Sequence, residues 1–357
     1  MSLKLKAQSS KPKVAVVVPA YNIEPYLGDC LDSVLAQTYR NLDIIVVDDG
    51  STDASGAVAD DYARRDARIR VIHKPNGGLS DARNAALDTL STSLSTSLST
   101  SLSTSLSTTP FVTFLDGDDL LHPRFVETLL DVATATGAPI VIADWQKFTA
   151  EVPATRKSGT VGGDTVAAAQ GSNGLRSSRL CLEAQTALND IFYQRRLTNS
   201  ACARLFDTGL FAHIRFPKGR LYEDIAIVYD LVMRAGSVAH VPVPLYYYRQ
   251  RRAGSITNVY TPARYDIVEI LDDLYDRISS ENPPLLPALR SRRVSAAFNL
   301  LQLMPPTEND RIRHCWDIIT AARAACLRDP HVRLKNKAAL LLSLLGKPLT
   351  TRLLRTL

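Results

Sequence analysis

The chain has 357 residues, of which 45% are hydrophobic and 22% are charged, so it can bury more than one ordinary core. This composition excludes collagen-like, disordered and disulfide-scaffold proteins. No apolar run reaches the ~18 residues that a membrane-spanning helix needs. The net charge is +6, and residues 330–357 contain six cations and no acid. A basic tail on an otherwise neutral chain suits an anionic membrane surface better than a nucleic acid, so no nucleic-acid partner is expected.

The cysteines and the N-terminus predict a cytoplasmic protein with reduced thiols. The five cysteines are scattered and form no CxxC pair. Residues 1–13 are a basic tail without the apolar stretch of a secretory signal. Together with the basic C-terminal tail, this predicts a cytoplasmic protein that is peripheral on the inner face of the cytoplasmic membrane.

Apolar runs alternate with amphipathic stretches along the first part of the chain. The pattern predicts strands at 14–19, 42–48, 69–73, 111–116 and 139–143, and helices at 26–37, 54–65, 79–88 and 123–136. Such alternation indicates a parallel α/β sheet. Residues 149–189 are less periodic and are predicted to be a loop with one helix at most. A strand is then predicted at 237–250, followed by helices at 265–277, 285–303 and 310–328.

Residues 90–109 form a tandem repeat of Leu-Ser-Thr-Ser. In a helix, a leucine at every fourth position would drift about 40° per repeat, so the leucines would form no straight stripe. Serine and threonine also favour non-helical backbone. The repeat is therefore predicted to be a surface insertion between a helix that ends near Asp88 and the strand at Phe111, without a function of its own.

Acidic residues follow two of the predicted strands. Asp48 and Asp49 end the second strand, and the sequence Asp-Gly-Asp-Asp at 116–119 ends the strand at Phe111. Ligands of open parallel sheets bind beyond the carboxyl ends of the strands, and carboxylates in an Asp-x-Asp pattern can hold a hard divalent cation. The alternative is that these acids cap the following helices, as expected for Asp53 and for Asp119. Two clusters at neighbouring strand ends favour a ligand site.

Seven motifs carry a resemblance to a known family. VVVPAYNIEPYLGDCLDSVLAQTY, DIIVVDDGSTD, NGGLSDARNAAL and FVTFLDGDDLLHP occur in that order, followed by LTNSACARLFDTGLF, FPKGRLYEDIAIVYDL and LYYYRQRRAGSITN. In order and spacing they resemble family 2 glycosyltransferases of the GT-A fold, of the type that adds sugars to bacterial capsules, exopolysaccharides and lipooligosaccharides. The resemblance implies an α/β fold with a mostly parallel sheet flanked by helices and a C-terminal helical extension. The implied domains are a GT-A domain at 14–258 with the repeat inserted at 90–109, a helical region at 259–329 and a basic amphipathic tail at 330–357.

The resemblance also implies the roles of individual residues. Asp49 accepts a hydrogen bond from the uracil ring. Asp118, with Asp116 nearer the ribose, binds Mn²⁺ or Mg²⁺. Asp224, which follows Glu223 at a helix start, is the catalytic base; its alternative role is to stabilise that helix start. The residues implied in donor binding are Pro19, Ala20, Tyr21, Asn22, Glu24, Asp49, Arg83, Asp116, Gly117 and Asp118.

The resulting hypothesis is an inverting, metal-dependent hexosyltransferase that uses a nucleotide sugar, a UDP-sugar above others. The acceptor is expected to be a glycan or a lipid-linked sugar. The chain lacks the Gln-x-x-Arg-Trp motif of processive synthases, so a single addition is expected. The alternatives are a sugar nucleotidyltransferase, whose Gly-rich N-terminal phosphate loop is absent here, and a non-catalytic binding or assembly module.

Two basic segments leave alternatives open. Many relatives have a histidine where this chain has Arg251, and Arg249, Arg251 and Arg252 either contact phosphate or form a solvated loop. In the tail, five residues share one helical face that either lies in an anionic membrane interface or docks on the protein's own core: Leu334, Ala338, Leu341, Leu342 and Leu345.

Overall fold

A computed structural model describes residues 11–95, 109–149, 181–250 and 260–356 of the chain. The chain divides into two compact units, and both are built from separate stretches of sequence. The first unit contains residues 1–178, 201–213 and 241–249, and the second contains residues 179–200, 214–240 and 250–357. Within the described ranges, no helix has both the length and the apolar character needed to cross a membrane.

The first unit is built on a mixed sheet. In chain order, the strands of the protein are β1 (Val14–Ala20), β2 (Leu42–Asp48), β3 (Ile69–His73), β4 (Phe111–Phe114), β5 (Leu120–Leu121), β6 (Ile140–Phe148), β7 (Cys181–Glu183), β8 (Arg204–Asp207) and β9 (Ser237–Arg249). The sheet order is β3-β2-β1-β4-β8-β6-β9-β5. The run β3-β2-β1-β4 is parallel, whereas β8 is antiparallel to both of its neighbours and β5 is antiparallel to β9. The predicted parallel part is thus one half of the sheet.

Four helices flank this sheet: α1 (Glu24–Leu35), α2 (Ser55–Arg65), α3 (Leu79–Ser95) and α4 (Phe125–Thr136). The central strand β1 is buried along its whole length, which explains why its sequence VAVVVPA is apolar on both faces. Helix α4 ends at Gly137, whose φ of 69° is the left-handed conformation that favours glycine at this position.

The second unit is mostly helical. Its helices are α5 (Ala184–Phe192), α6 (Glu223–Ala235), α7 (Asp266–Glu281), α8 (Leu286–Leu303), α9 (Asn309–Arg328), α10 (Leu334–Leu342) and α11 (Lys347–Thr356). Helix α8 packs against α5, α7, α9, α10 and α11, and it therefore forms the centre of this unit. Strand β7 pairs antiparallel with residues 237–239, which also belong to this unit.

The predicted strands and helices of the first part are confirmed, with one correction at the repeat. Helix α3 does not end near Asp88 but continues to Ser95, so the repeat begins inside a helix. Leu90 is 2% exposed because it extends the buried face formed by Ala86 and Leu87. At the other end, the carbonyl of Thr109 accepts a hydrogen bond from the Thr208 hydroxyl at 2.9 Å. The rest of the repeat, residues 96–108, lies outside the described residues.

Candidate active site

Three of the implied donor-binding segments lie at one edge of the sheet. Strand β1 lies between β2 and β4 and is parallel to both, so the carboxyl ends of all three strands share an edge. The segments 20–24, 48–53 and 115–119 follow these ends. The structure thus brings the two acidic clusters of the sequence to neighbouring loops.

The loop after β1 is anchored to the loop after β2. Asn22 has a φ of 49°, and its side-chain carbonyl accepts hydrogen bonds from the backbone N–H of Thr52 at 2.8 Å and from the Thr52 hydroxyl at 3.2 Å. Pro19 and Ala20 are buried at the end of β1, whereas the Tyr21 side chain is 48% exposed. Among these four residues, Tyr21 presents the largest side chain to solvent.

Glu24 and Asp53 connect the first turns of two helices. The Glu24 carboxylate accepts a hydrogen bond from the backbone N–H of Ala54 at 3.1 Å, and the backbone N–H of Glu24 donates to the Asp53 carboxylate at 3.0 Å. Asp53 also accepts from the backbone N–H of Ser55 at 2.9 Å, as expected of a residue that stabilises a helix start. Glu24 therefore shapes the loop, in addition to any contact with a ligand.

Asp49 is buried and organises the loop that precedes α3. Its carboxylate accepts hydrogen bonds from the backbone N–H groups of Gly77 at 3.0 Å and Gly78 at 2.7 Å, and it pairs with the Lys74 ammonium. Burial opposes the charge of Lys74, but its hydrogen bonds to Asp49 and Asp81 raise its pKa above the ordinary value. A carboxylate has about four acceptor sites, so Asp49 keeps capacity for one further donor.

The buried side chain of Arg83 forms an ion pair with Asp116. The Arg83 side chain is 1% exposed, and its Nη2 lies 2.9 Å from the Asp116 carboxylate and 3.7 Å from the Cys202 sulfur. The guanidinium also lies over the Phe114 ring, 5.7 Å from its centroid. Asp116 is 33% exposed, so it is Asp116, and not Arg83, that faces solvent.

Gly117 separates the two implied metal ligands in a space that admits no side chain. A Cβ atom at this position would lie 2.9 Å from the Pro19 carbonyl oxygen and 2.3 Å from the Ile23 side chain. This close approach joins the loop after β4 to the end of β1. It explains why glycine occupies the middle of the Asp-Gly-Asp sequence.

Arg249 clamps the other side of the same loop. Its Nε donates to the backbone carbonyl of Asp118 at 2.8 Å, and its Nη2 lies 3.5 Å from the Asp29 carboxylate. The guanidinium lies between two rings, 4.9 Å from the centroid of Tyr26 and 4.6 Å from that of Phe148. The Arg249 side chain is only 8% exposed, so it belongs to neither a solvated loop nor an open phosphate site. Arg251 and Arg252 lie outside the described residues.

Asp119 does not cap the helix at Pro123, and that prediction was wrong. Its carboxylate is 1% exposed and accepts hydrogen bonds from the Tyr246 hydroxyl at 2.6 Å and from the backbone N–H of Arg249 at 2.7 Å. Helix α4 starts later, at Phe125. Strand β9 supplies both partners of Asp119, and this long-range pairing outweighs a local cap.

The loop concentrates negative charge. Burial, followed by the charges of Asp118 and Asp116, holds the pKa of Asp119 well above its usual range. Burial and the same carboxylates also hold the pKa of the Cys30 thiol well above its ordinary value. Such a field disfavours a further anion and favours a cation.

The donor set suits a hard divalent cation bound together with phosphate. Within the described ranges, no group of three or more His, Cys, Asp or Glu side chains is arranged to hold a metal ion. Asp116 and Asp118 are nevertheless carboxylates with partial exposure on one loop. Mg²⁺ is typically bound by one or two carboxylates, with water and substrate phosphates completing the shell. The residues present therefore fit a cation that arrives with a nucleotide diphosphate.

Asp224 belongs to the second unit. It lies in the first turn of α6 and is partly exposed, whereas Glu223 beside it is 8% exposed. Tyr222, immediately before them, has a φ of 60°, in the left-handed region that non-glycine residues rarely adopt. Of this acidic pair, Asp224 is thus the residue better placed to reach a ligand.

The sequence reasoning missed Tyr246, and it named Arg249 without its role in shaping the loop. Tyr246 and Arg249 lie in the sequence LYYYRQ, and only their separation from Asp119 by about 130 residues of chain hides the contact. The pairing of β9 with β5 brings this strand next to the loop that carries Asp119, and no local sequence pattern predicts that pairing.

Comparisons with known proteins agree with this arrangement. Residues 15–211 match the family described as Glycosyl transferase family 2. Over 268 residues the chain is 30% identical to Glycosyltransferase GlyA of Streptococcus pneumoniae serotype 4; the match covers 70% of this chain but only 32% of GlyA, about a third of its length.

Two solved structures share the fold. The crystal structure of S. aureus TarS 1-349 in complex with UDP-GlcNAc has a TM-score of 0.66 at 18% identity, with 96% of this chain and 90% of that chain covered. The mannosyltransferase PcManGT from Pyrobaculum calidifontis, in complex with GDP-Man and Mn²⁺, has a TM-score of 0.50 at 17% identity, with 98% and 84% covered. At these identities the likeness establishes the fold, the mixed α/β fold of GT-A glycosyltransferases.

Proposed function

The chain belongs to glycosyl transferase family 2, and from this premise we propose that it transfers a sugar from a UDP-sugar to a glycan or lipid-linked acceptor. The observation that carries the proposal is the loop at 116–119. This loop carries two partly exposed carboxylates, and it is held by Arg83 at the side chain of Asp116 and by Arg249 at the backbone of Asp118, at the sheet edge where nucleotides bind in open α/β folds.

The donor nucleotide would lie over the ends of β1 and β2. Asp49 has acceptor capacity for one further donor, such as the N–H of a uracil ring, and Tyr21 offers an exposed ring in the neighbouring loop. The UDP-GlcNAc bound to TarS supports a uridine donor, because that protein has the same fold. Asn22 joins the loop that carries Tyr21 to the loop that follows Asp49 through its hydrogen bonds from Thr52.

Asp118, together with Asp116, would hold Mn²⁺ or Mg²⁺. When bound, such a cation neutralises the charge that develops on the diphosphate leaving group. Arg83 and Arg249 would keep the two carboxylates in place, since Arg83 pairs with the side chain of Asp116 and Arg249 with the backbone of Asp118. The Mn²⁺ in the PcManGT complex supports this assignment.

Asp224 would take the proton from the attacking acceptor hydroxyl. The resemblance of FPKGRLYEDIAIVYDL to the family's acceptor segment supports this role, as does the partial exposure of Asp224 next to the buried Glu223. Attack on the face opposite the diphosphate inverts the anomeric carbon, so an α-linked donor would yield a β-glycoside. The acceptor would belong to bacterial surface polysaccharide synthesis, as the resemblance to sugar transferases of that type suggests.

The C-terminal segment would attach the protein to an anionic membrane. Five leucines in residues 334–349 are at least 45% exposed: Leu334, Leu341, Leu344, Leu345 and Leu349. Leu340 is fully buried, so the segment docks on its own unit through one side while these leucines remain in solvent. Lys335, Lys337 and Lys347 lie among them, and residues 330–357 contain no acid. This combination fits the boundary between headgroups and acyl chains.

A donor screen tests the proposed activity. The full chain is incubated with UDP-, GDP- and dTDP-sugars, with Mn²⁺ or with EDTA, and release of the nucleoside diphosphate is measured. We expect release from a UDP-sugar that requires the cation and is abolished by Asp118→Asn, while Asp310→Asn, at a carboxylate that is 93% exposed in the other unit, leaves it intact. With pyrophosphate added, conversion of the UDP-sugar to UTP and a sugar 1-phosphate would identify a sugar nucleotidyltransferase, and no reaction with any donor would leave only a binding module.

A further inference from the structure

Arg292, in the middle of α8, is buried without a charge partner. It is 9% exposed. In the part of the chain that the structure describes, no carboxylate lies within ion-pair distance of its guanidinium and no acceptor within hydrogen-bond distance. A buried guanidinium with neither kind of partner is costly and is normally paired. The cost of this one calls for a ligand that the protein itself does not provide.

A second guanidinium lies on the same side of α8. The Nη2 of Arg333 donates to the Ser295 hydroxyl at 3.0 Å and to the side-chain carbonyl of Gln194, and its buried Nε has no partner. Ser295 follows Arg292 by three residues on α8, so both face the same way. The acceptors around Arg333 are neutral, and the pair therefore carries uncompensated positive charge.

Electrostatics agrees with this arrangement. Burial, followed by the neighbouring charge of Arg333, lowers the pKa of Arg292 to about 10, while Tyr222 acts in the opposite direction. Burial also lowers the pKa of Arg333. Both groups remain protonated at neutral pH. An anion between them would relieve their repulsion.

The backbone around the pair is strained. Gln194, which contacts Arg333, has a φ of 55°, and Tyr222, which acts on Arg292, has a φ of 60°. Non-glycine residues in this region persist where the surroundings hold them, and such residues are frequent at binding sites. Tyr222 directly precedes Glu223 and Asp224 in the chain, so the residue that acts on Arg292 lies at the start of α6, where the implied base is located.

We propose that Arg292 and Arg333 form an anion subsite for a phosphate group of the acceptor. Two guanidinium forks match the oxygens of a phosphate, which accepts several charge-assisted hydrogen bonds at once. The assignment to the acceptor rests on the proposed function, whereas the anion subsite itself does not. The phosphate would belong either to a free sugar phosphate or to a lipid-linked sugar, and the same two arginines would recognise both.

Calorimetry with inorganic pyrophosphate tests the subsite. The full chain is titrated in EDTA, alongside Arg292→Met, Arg292→Lys and, as a matched control, Arg313→Gln on α9, an arginine whose side chain is 70% exposed. We expect Arg292→Met to weaken pyrophosphate binding at least about tenfold and Arg292→Lys to weaken it less, because each charge-assisted contact contributes that much. Arg313→Gln should bind as the wild type does. Equal binding by the wild type and Arg292→Met, or no binding by the wild type, would overturn the subsite.

Thermal denaturation distinguishes a loss of anion binding from a defect in folding. Without anion, Arg292→Met should melt no lower than the wild type, since it removes an unpaired buried charge. Pyrophosphate should raise the melting temperature of the wild type and not that of Arg292→Met. A variant that melts lower and still responds to pyrophosphate would show that Arg292 is structural.

The source of the phosphate is distinguished by two further probes. A sugar 1-phosphate in solution and a polyprenyl phosphate in detergent micelles are titrated in the same way. A response to either one that Arg292→Met weakens supports the subsite and assigns the phosphate to that source. Nucleotide release by the wild type is measured separately, so that failure to bind any of these probes while release proceeds would reject the subsite alone and leave the proposed transfer intact.

Discussion

The loop at 116–119 and the C-terminal segment at 334–349 use their side chains in opposite ways. In the loop, internal partners fix the carboxylates: Arg83 holds Asp116, and strand β9 holds Asp119. In the C-terminal segment, Leu334 is 85% exposed and Leu344 is 62% exposed. Charged groups fixed inside the protein are preorganised for a ligand. Apolar side chains exposed to solvent indicate a surface that binds another molecule or a membrane.

The difference teaches what a substitution should do in each region. A change in the internally bonded part should alter chemistry or stability, because each group has several partners within the protein. A change in the exposed segment should alter attachment while leaving the fold intact. The following expectations either sharpen this contrast or break it.

The largest effect is expected at Asp224. A general base contributes typically ~10²–10⁴-fold to rate, and Asp224→Asn keeps the shape but cannot accept the proton. Turnover should fall by about that factor, with donor affinity within a few fold of the wild type, in a steady-state assay with the donor that the screen identifies. Glu223→Gln is the matched control and should be milder, since Glu223 is buried. A larger effect of Glu223→Gln than of Asp224→Asn would assign the base to Glu223. Mild effects of both variants would leave only the donor loop assigned to the reaction.

The second effect concerns acid stability. His122, just after β5, is fully buried, and burial and the charge of Arg124 lower its pKa to about 4. The unfolded chain binds the proton near pH 6.5, so stability is present above that pH and is lost as the pH falls towards 4. Between pH 6.5 and pH 4, the free energy of unfolding should therefore fall by about 3 kcal/mol more for the wild type than for His122→Asn. Denaturant unfolding at a series of pH values measures this difference. If the unfolding free energies of the wild type and His122→Asn changed equally with pH, His122 would not be a buried neutral histidine.

The third effect tests the exposed segment. Replacing Leu344 and Leu345 by serine should weaken binding to phosphatidylglycerol vesicles at least about tenfold, since each leucine would bury apolar surface there. The melting temperature should not change, because both side chains are in solvent. Leu303→Ser, at an exposed leucine of α8, is the matched control and should bind normally. Two results would contradict binding to an anionic membrane: equal co-sedimentation of all variants with phosphatidylglycerol vesicles, or equal co-sedimentation of the wild type with phosphatidylcholine vesicles.

The smallest effect is expected in the Leu-Ser-Thr-Ser repeat. Deleting residues 98–105 removes two whole repeats and leaves the helical beginning of the repeat, up to Ser95, intact. The sequence predicts a surface insertion here, and shortening such an insertion by this amount would change its closure entropy by less than about 1 kcal/mol. The melting temperature and nucleotide release should therefore stay close to those of the full chain. A large loss of either would show that the repeat packs on the protein or controls access to it.

Much of the fold was predictable because its signals are local. The apolar run VAVVVP predicts β1, and the motifs predict which loops carry the site. The end of α3 was missed because Leu90 belongs both to the repeat and to the buried face of the helix. Local propensity predicts a non-helical repeat, and packing overrides this preference at residues 90–95, where the helix continues.

Long-range partners were beyond the sequence. Asp119 resembles a helix cap until Tyr246, 127 residues later, is placed against it. The stretch RSRR of α8 does not reveal which arginine is buried, since Arg290, Arg292 and Arg293 differ only in the face they occupy. Asp272 pairs with Arg293, whereas Arg292 has no carboxylate partner and lies near the positive charge of Arg333. Such differences depend on which helices pack together, and no local pattern encodes them.

The most direct test of the central claim is the effect of Mn²⁺ on UDP binding. Asp118 is proposed to bind a cation that contacts the diphosphate. Calorimetry should therefore show that Mn²⁺ tightens UDP binding to the wild type and to Asp310→Asn but has little effect on UDP binding to Asp118→Asn. If Mn²⁺ tightened binding equally in Asp118→Asn and the wild type, the loop at 116–119 would not be the metal and diphosphate site, and the account would be contradicted.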